Sequence, residues 1–283
     1  MKSYKFFVLG VGFAALSIVL PVRMFRTVQA QGNTPKESVP VTVIQAAGPN
    51  AASIQSTVDA FRAALGDPNG NAAGPLASGR REINWDGGGG VDVTTAPVTP
   101  FNVFLNTRGG QFTTPGIGLS QAPASGGPQG GLTGLFNNAA YGAEFVAFSP
   151  LRLFTPVGSN ITEAFFFVPG SQGTLKATVS GFGVVFTDVD QPDGSGPGRK
   201  HGNRGASTLV EFFDLNGALL YSSFAPAAPG QKSLSFLGIK FADARIASVR
   251  ITTGDSEPGL DDDQKHDIVM MDDFIYGEPQ PLP

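Results

Sequence analysis

The chain has 283 residues, with 38 Gly, 22 Pro, 23 Phe and no Cys; 15% of its residues are charged and 41% are hydrophobic. The lack of Cys excludes a disulfide-stapled scaffold and a Cys-based zinc site, and the Gly-rich, charge-poor composition excludes a coiled coil. The apolar fraction is large enough to bury a core, which argues against disorder throughout and favours a turn-rich, all-β protein.

The N-terminus resembles a secretory signal peptide covering residues 1–30. Lys2 and Lys5 form a basic start, and the apolar run Phe6–Leu20 follows. Val28-Gln29-Ala30 then offers small residues at the two positions that a signal peptidase reads. The alternative is an uncleaved anchor, but the run is shorter than the roughly 20 residues that a membrane span needs. We therefore expect export, with no membrane insertion after signal removal.

The expected mature chain is acidic. Cleavage would remove four basic residues and no acid, leaving 15 basic and 23 acidic residues and a net charge of −8. The sequence contains no extended Lys/Arg cluster, so we expect no nucleic-acid partner. Export without Cys fits a bacterial rather than a eukaryotic route. The predicted location is outside the bacterial cell or on its surface.

After the signal peptide, residues 31–45 are predicted to be a polar tether, followed by one domain over residues 46–277. Asn50 can cap a helix that Gly66 would end. Within it, apolar residues recur at spacings of four, three and four: Ile54, Val58, Phe61 and Leu65. This stripe predicts one amphipathic helix docked on a sheet.

The next stretch combines one strand with a long irregular segment. Arg81–Trp85 alternates as a strand does. Residues 87–134 are rich in Gly and Pro, and we predict that the short strands Phe101–Leu105 and Gln111–Thr113 cross them. Residues 278–283 are predicted to be a tail.

The C-terminal half has a β pattern throughout. Asp214-Leu215-Asn216-Gly217 is typical of a tight hairpin turn. Eight strands are predicted: Ala143–Phe148, Asn160–Val168, Leu175–Thr187, Ser207–Phe213, Ala218–Phe224, Lys232–Ile239, Ala244–Thr252 and Asp267–Tyr276. Their short, regular spacing predicts a two-sheet antiparallel sandwich of jelly-roll type.

Several blocks resemble uncharacterised secreted bacterial proteins with a lectin-like jelly roll, of the kind often found with PEP-CTERM sorting tails. They are Ser78–Gly87, Val179–Asp190, Phe236–Phe241, Ala244–Thr252 and Met271–Gly277. We expect no such tail here, because the C-terminal residues show neither an apolar span nor an Arg cluster. The resemblance implies the fold and export, and it implies no reaction.

An acidic loop is the strongest candidate site. Asp188, Asp190 and Asp193 follow a predicted strand, and Gly194 allows a sharp turn. Calcium takes six to eight oxygen ligands, which such a loop can begin to supply. By analogy with jelly-roll modules, an acid of the last strand, Asp273 or its neighbour Asp272, would complete a structural calcium site. The alternative is that these acids are solvated loop residues, as are those between residues 255 and 267.

Trp85 is the candidate sugar-binding platform. It is the only Trp, and Asn84 and Asp86 beside it could bind hydroxyl groups. The alternative is that Trp85 belongs to the core, because it alternates with Ile83.

The predicted function is a non-catalytic binding or structural module, lectin-like and calcium-stabilised, that acts on a glycan or a cell-surface partner. The alternatives are a passive cell-surface or matrix protein and a polysaccharide hydrolase. A hydrolase would need paired carboxylates, for which Asp190, Glu211, Asp214 and the acids of the Asp261–Asp273 group are candidates. Two histidines, His201 and His266, offer no convincing catalytic triad.

Overall fold

A computed structural model describes residues 40–87, 94–191, 208–263 and 265–282. The predicted signal peptide, most of the predicted tether, Asp193 and His201 lie outside these residues.

The described residues form two packed antiparallel sheets with few helices. The elements in chain order are β1 (Val41–Gly48), α1 (Ala51–Leu65), β2 (Arg80–Ile83), α2 (Leu105–Arg108), β3 (Gly110–Thr113), β4 (Gly118–Ala122), α3 (Gly131–Leu135), α4 (Tyr141–Glu144), β5 (Leu153–Val157), β6 (Ile161–Phe166), β7 (Ala177–Thr178), β8 (Gly181–Thr187), β9 (Leu209–Phe213), β10 (Leu219–Phe224), β11 (Leu234–Phe241), β12 (Ser248–Thr252), β13 (Met270–Gly277) and β14 (Gln280–Pro281).

The larger sheet has seven strands in the order β1-β11-β8-β13-β5-β4, with β2 also paired to β13. The smaller sheet has five strands in the order β10-β9-β12-β6-β3, and β14 pairs with β7. This arrangement confirms the predicted all-β, two-sheet antiparallel sandwich.

The main core lies between the two sheets, as the strand patterns require. In β9, Val210 and Phe212 are buried while the residues that alternate with them are partly exposed, which is the period of two expected for a strand with one buried face. Phe112, Phe154 and Phe274 meet around Trp85 in the same core. The Phe-rich composition is therefore used mainly to fill the space between the sheets.

The helix α1 covers the outer face of the larger sheet. Asn50 caps it by accepting a hydrogen bond from the backbone N–H of Ser53 at 3.1 Å. Phe61 packs over Gly183 and Gly238, which are partners across β8 and β11. A Cβ atom at Gly238 would lie 2.6 Å from the Phe61 ring, so these glycines make room for the helix. The predicted docked helix is confirmed.

Some local predictions differ from the structure. The strand β1 begins at Val41, inside the predicted tether, and pairs with β11 along its length. The predicted strand Ala143–Phe148 is wrong, because its first residues form the end of α4 and the rest is not strand. Phe101–Leu105 makes one bridge, from Phe101 to Phe112, before α2 begins.

The predicted tail is anchored rather than free. Glu278 is 4% exposed and forms an ion pair with Arg81, and β14 follows it. The chain therefore remains part of the packed structure beyond β13.

Candidate functional site

Trp85 lies in the core and is not an exposed platform. Its side chain is 0% exposed and stacks on Phe154 with the ring centroids 3.7 Å apart. The indole N–H donates to the backbone oxygen of Asp272 at 3.1 Å. The prediction of a sugar-stacking surface at Trp85 is therefore wrong: burying a large aromatic surface stabilises the core, and this ring has no free face.

The neighbours of Trp85 have local structural contacts. One carboxylate oxygen of Asp86 accepts hydrogen bonds from the backbone N–H groups of Leu151 and Arg152, at 2.7 and 3.1 Å. The exposed Asn84 donates to the other oxygen at 3.2 Å. Asp86 thus holds the chain before β5. Because the Trp85 ring is buried, Asn84 and Asp86 cannot bind a sugar beside it as predicted.

Asp273 also differs from its predicted role. It lies in a bulge of β13, between the pairs Met271–Phe186 and Phe274–Val184. Its carboxylate forms an ion pair with Arg62 of α1 at 3.1 Å and accepts a hydrogen bond from the Ser149 hydroxyl. The structure therefore places Asp273 with the helix rather than with the acidic loop.

The acidic loop does meet a third carboxylate, that of Asp262. Asp188 and Asp190 follow β8, and Asp262 lies between β12 and β13. One carboxylate oxygen of each lies within 4.8 Å of the others. Asp190 accepts a hydrogen bond from the backbone N–H of Gly230 at 2.8 Å, and Asp262 accepts one from Ile268 at 2.9 Å. We call Asp188, Asp190 and Asp262 the carboxylate cluster.

Asp188 is the most constrained member of the carboxylate cluster. It is 1% exposed, and its backbone φ is 69°, a left-handed conformation that Asp tolerates better than most residues. Neither carboxylate oxygen is hydrogen-bonded to an N–H or hydroxyl group of the described residues, and the polar side chain that interacts with it is the carboxyl group of Asp262. Buried carboxylates normally have donors, so this one lacks a partner of the expected kind.

Burial and like charge raise the pKa values around the carboxylate cluster. Burial, then the contact with Asp262, raises the pKa of Asp188 to about 9. Burial, then the charge of Asp262, raises the pKa of neighbouring Asp267 to about 8. Among the described residues, no Lys or Arg forms an ion pair with the cluster. Without a cation, the site disfavours its own ionised form.

A cavity of about 300 Å³ lies beside the cluster. Asp190 and Asp262 line it, and so does Glu144, at the end of α4. Glu144 is 6% exposed, and its Oε2 has no hydrogen-bond partner among the described residues. Sequence reasoning missed Glu144 because its segment was predicted to be a strand. The only signal that could have indicated a site there was an acidic residue between Ala143 and Phe145.

A second cavity, of about 570 Å³, lies beside Phe165 and Ser248 of the smaller sheet. Their partners in register place these side chains on the face that does not pack against the larger sheet. Lys176 and Asp214 also line the cavity, so its lining combines aromatic surface with one charge of each sign. Such a mixture is typical of small-molecule pockets.

Comparisons with known proteins give no relative for this chain: no family model, no curated protein and no solved structure matches it. In the described part of the chain, no helix has the length and apolar character needed to cross a membrane.

Proposed function

We propose that the protein is an exported, non-catalytic binding or structural module, lectin-like in its action on a glycan or cell-surface partner and stabilised by one calcium ion. The observation that carries the calcium assignment is the carboxylate cluster, in which Asp188 is buried with no ordinary hydrogen-bond partner. The predicted signal peptide supports export.

The geometry of the cluster suits calcium. Calcium–oxygen distances are roughly 2.3–2.6 Å, so two ligands on opposite sides of the ion are separated by about 5 Å. The cluster oxygens, all within 4.8 Å of one another, can therefore surround one ion. Its donors are carboxylate oxygens, which favour hard cations such as calcium. Backbone contacts fix two of the three carboxylates, which lowers the cost of assembling the site.

Binding fits the site better than hydrolysis. Glycoside hydrolysis needs two carboxyl groups about 5–10 Å apart on either side of the scissile bond. Asp188 is 1% exposed and touches another carboxyl group, so it has no room to face a substrate. A bound cation would instead be coordinated by the Asp188 oxygens, which have no hydrogen-bond donor among the described residues.

Calcium titration by calorimetry tests this proposal. The full-length chain would be produced in an exporting bacterial host, purified and stripped with EDTA. We expect one calcium site per chain, and Asp262→Asn should weaken calcium binding at least tenfold. The Asn oxygen can still accept the hydrogen bond from Ile268. Asp243→Asn, which removes an exposed acid outside the cluster, is the matched control.

The binding half of the proposal needs a separate measurement. We expect the wild-type protein to bind members of a glycan array in calcium. If calorimetry detects no calcium binding, or if Asp262→Asn binds calcium as tightly as the wild type does, the metal assignment fails. If calcium binds but no glycan or surface partner does, the passive structural role is favoured.

A further inference from the structure

The cavity beside the carboxylate cluster has an unsatisfied acceptor of its own. Glu144 is not a member of the cluster, yet it is buried, and its Oε2 lacks a hydrogen-bond partner among the described residues. Burial, followed by the charges of Asp262 and Asp261, raises the pKa of Glu144. An acceptor left in this state is costly, so a ligand in the cavity that donates a hydrogen bond would stabilise it.

A calcium ion in the cluster has coordination positions that these three carboxylates do not fill whenever any of them binds through a single oxygen. Three carboxylates supply between three and six oxygens, depending on whether each binds through one oxygen or two, whereas calcium takes six to eight. Asp190 and Asp262 line the cavity, but Asp188 does not. The positions that the described carboxylates leave open therefore face the cavity, where an outside oxygen ligand can reach them.

The cavity lining selects the chemistry of that ligand. The lining contains Asp263 and the two amides Gln191 and Gln231, and its described residues include no basic and no aromatic side chain. The carboxylates of the lining would repel anions, and an apolar ligand would leave the buried Oε2 of Glu144 without a partner. A ligand with neighbouring hydroxyl groups can offer oxygens to calcium and hydrogen-bond donors to the acceptors.

We propose that this cavity binds a saccharide through two neighbouring hydroxyl groups, whose oxygens complete the coordination of calcium while one hydroxyl donates to Glu144. The inference rests on the proposed calcium site and names the ligand class of that same site. The volume of about 300 Å³ lies at the lower end for ligand pockets and suits a single sugar ring.

Ligand-observed and protein-observed NMR titrations test this with two defined probes, methyl α-D-mannopyranoside and methyl β-D-galactopyranoside. Together they present cis and trans pairs of neighbouring hydroxyls. We expect at least one to bind in calcium and to lose binding in EDTA. Glu144→Gln should weaken sugar binding about tenfold, because a charged acceptor becomes neutral, while calcium affinity changes less than about threefold. Glu211→Gln, on the smaller sheet, is the control.

The outcomes separate the two proposals. Calcium binding without binding of either sugar overturns the saccharide inference and leaves the calcium site intact. Sugar binding that persists in EDTA overturns the inference and points to the second cavity, near Phe165. Sugar binding that is unaffected by Glu144→Gln also overturns it. Failure of calcium binding itself removes both proposals.

Discussion

The buried ion pair between Arg81 and Glu278 should contribute more to stability than any surface pair in the described part of the chain. The two side chains are 0% and 1% exposed, and two hydrogen bonds of 2.6 and 2.7 Å join them. The remaining guanidinium contacts are to the backbone oxygens of Gly70 and Ala72, and Asn69 donates to Glu278. The pair thus joins the loop before β2 to the chain end after β13.

Replacing Glu278 by Gln would leave the Arg81 charge buried without its counter-charge. Breaking a buried pair in this way costs about 3–5 kcal/mol. For a domain of this size, each kcal/mol lowers the melting temperature by about 2–4 °C, so we expect a decrease of about 6–20 °C. Circular dichroism during thermal unfolding measures this, and urea titration should show a lower midpoint with an unchanged slope.

The control is Glu163→Gln, which breaks a pair with Arg250 whose side chains are 31% and 47% exposed. Such exposed pairs contribute about 0–1 kcal/mol. If Glu278→Gln and Glu163→Gln destabilise the protein equally, the buried pair does not anchor the chain end. A double variant, Arg81→Met with Glu278→Leu, should recover part of the loss, because it removes the stranded charge.

Three further predictions concern the core, the helix and the carboxylate cluster. Trp85→Ala should lower the unfolding free energy by about 3–5 kcal/mol in urea titrations; lost glycan binding with unchanged stability would instead restore the platform role. Gly238→Ala should cost about 1–3 kcal/mol in the same assay, because its Cβ would meet the Phe61 ring, and an unchanged midpoint would contradict that packing. Because the pKa of Asp188 is raised to about 9, the metal-free protein should lose stability as pH rises between about 4 and 9. In EDTA at pH 8, Asp188→Asn should therefore be about 1–4 kcal/mol more stable than the wild type. In saturating calcium the same variant should be less stable than the wild type, because it has lost a calcium ligand. If Asp188→Asn is less stable than the wild type in EDTA, burial and neighbouring carboxylates do not destabilise the charged Asp188 as described.

Features with a clear period could be predicted from the sequence. The stripe from Ile54 to Leu65 identified α1 and its docking, because its spacing matches one face of a helix. Most strands of the C-terminal half followed from alternation and from their turn residues, but β5 was missed and the strand predicted over Ala143–Phe148 does not form. In contrast, β1 was missed because its burial depends on tertiary packing: Val41 and Val43 lie in the core between the sheets, while Ile44 and Ala46 pack under α1.

The candidate site could be predicted only in part. The acidic loop supplied Asp188 and Asp190, but their third partner, Asp262, comes from another loop more than 70 residues away. Asp273 was the natural alternative, since it lies on the last strand. Asp273 lies in a bulge of β13 and forms an ion pair with Arg62 instead. The residues around it show no local sequence pattern that predicts a bulge.

The melting temperature of the wild-type protein, in 1 mM calcium and in EDTA, tests the central claim most directly. A site with a Kd of about 10 µM would be occupied at roughly 100 times its Kd and would add about 2.7 kcal/mol. This corresponds to a rise of about 5–11 °C at this size, and Asp262→Asn, which binds calcium at least tenfold more weakly, should show about half of that rise or less. An unchanged melting temperature on addition of calcium, at constant ionic strength, would contradict the calcium assignment.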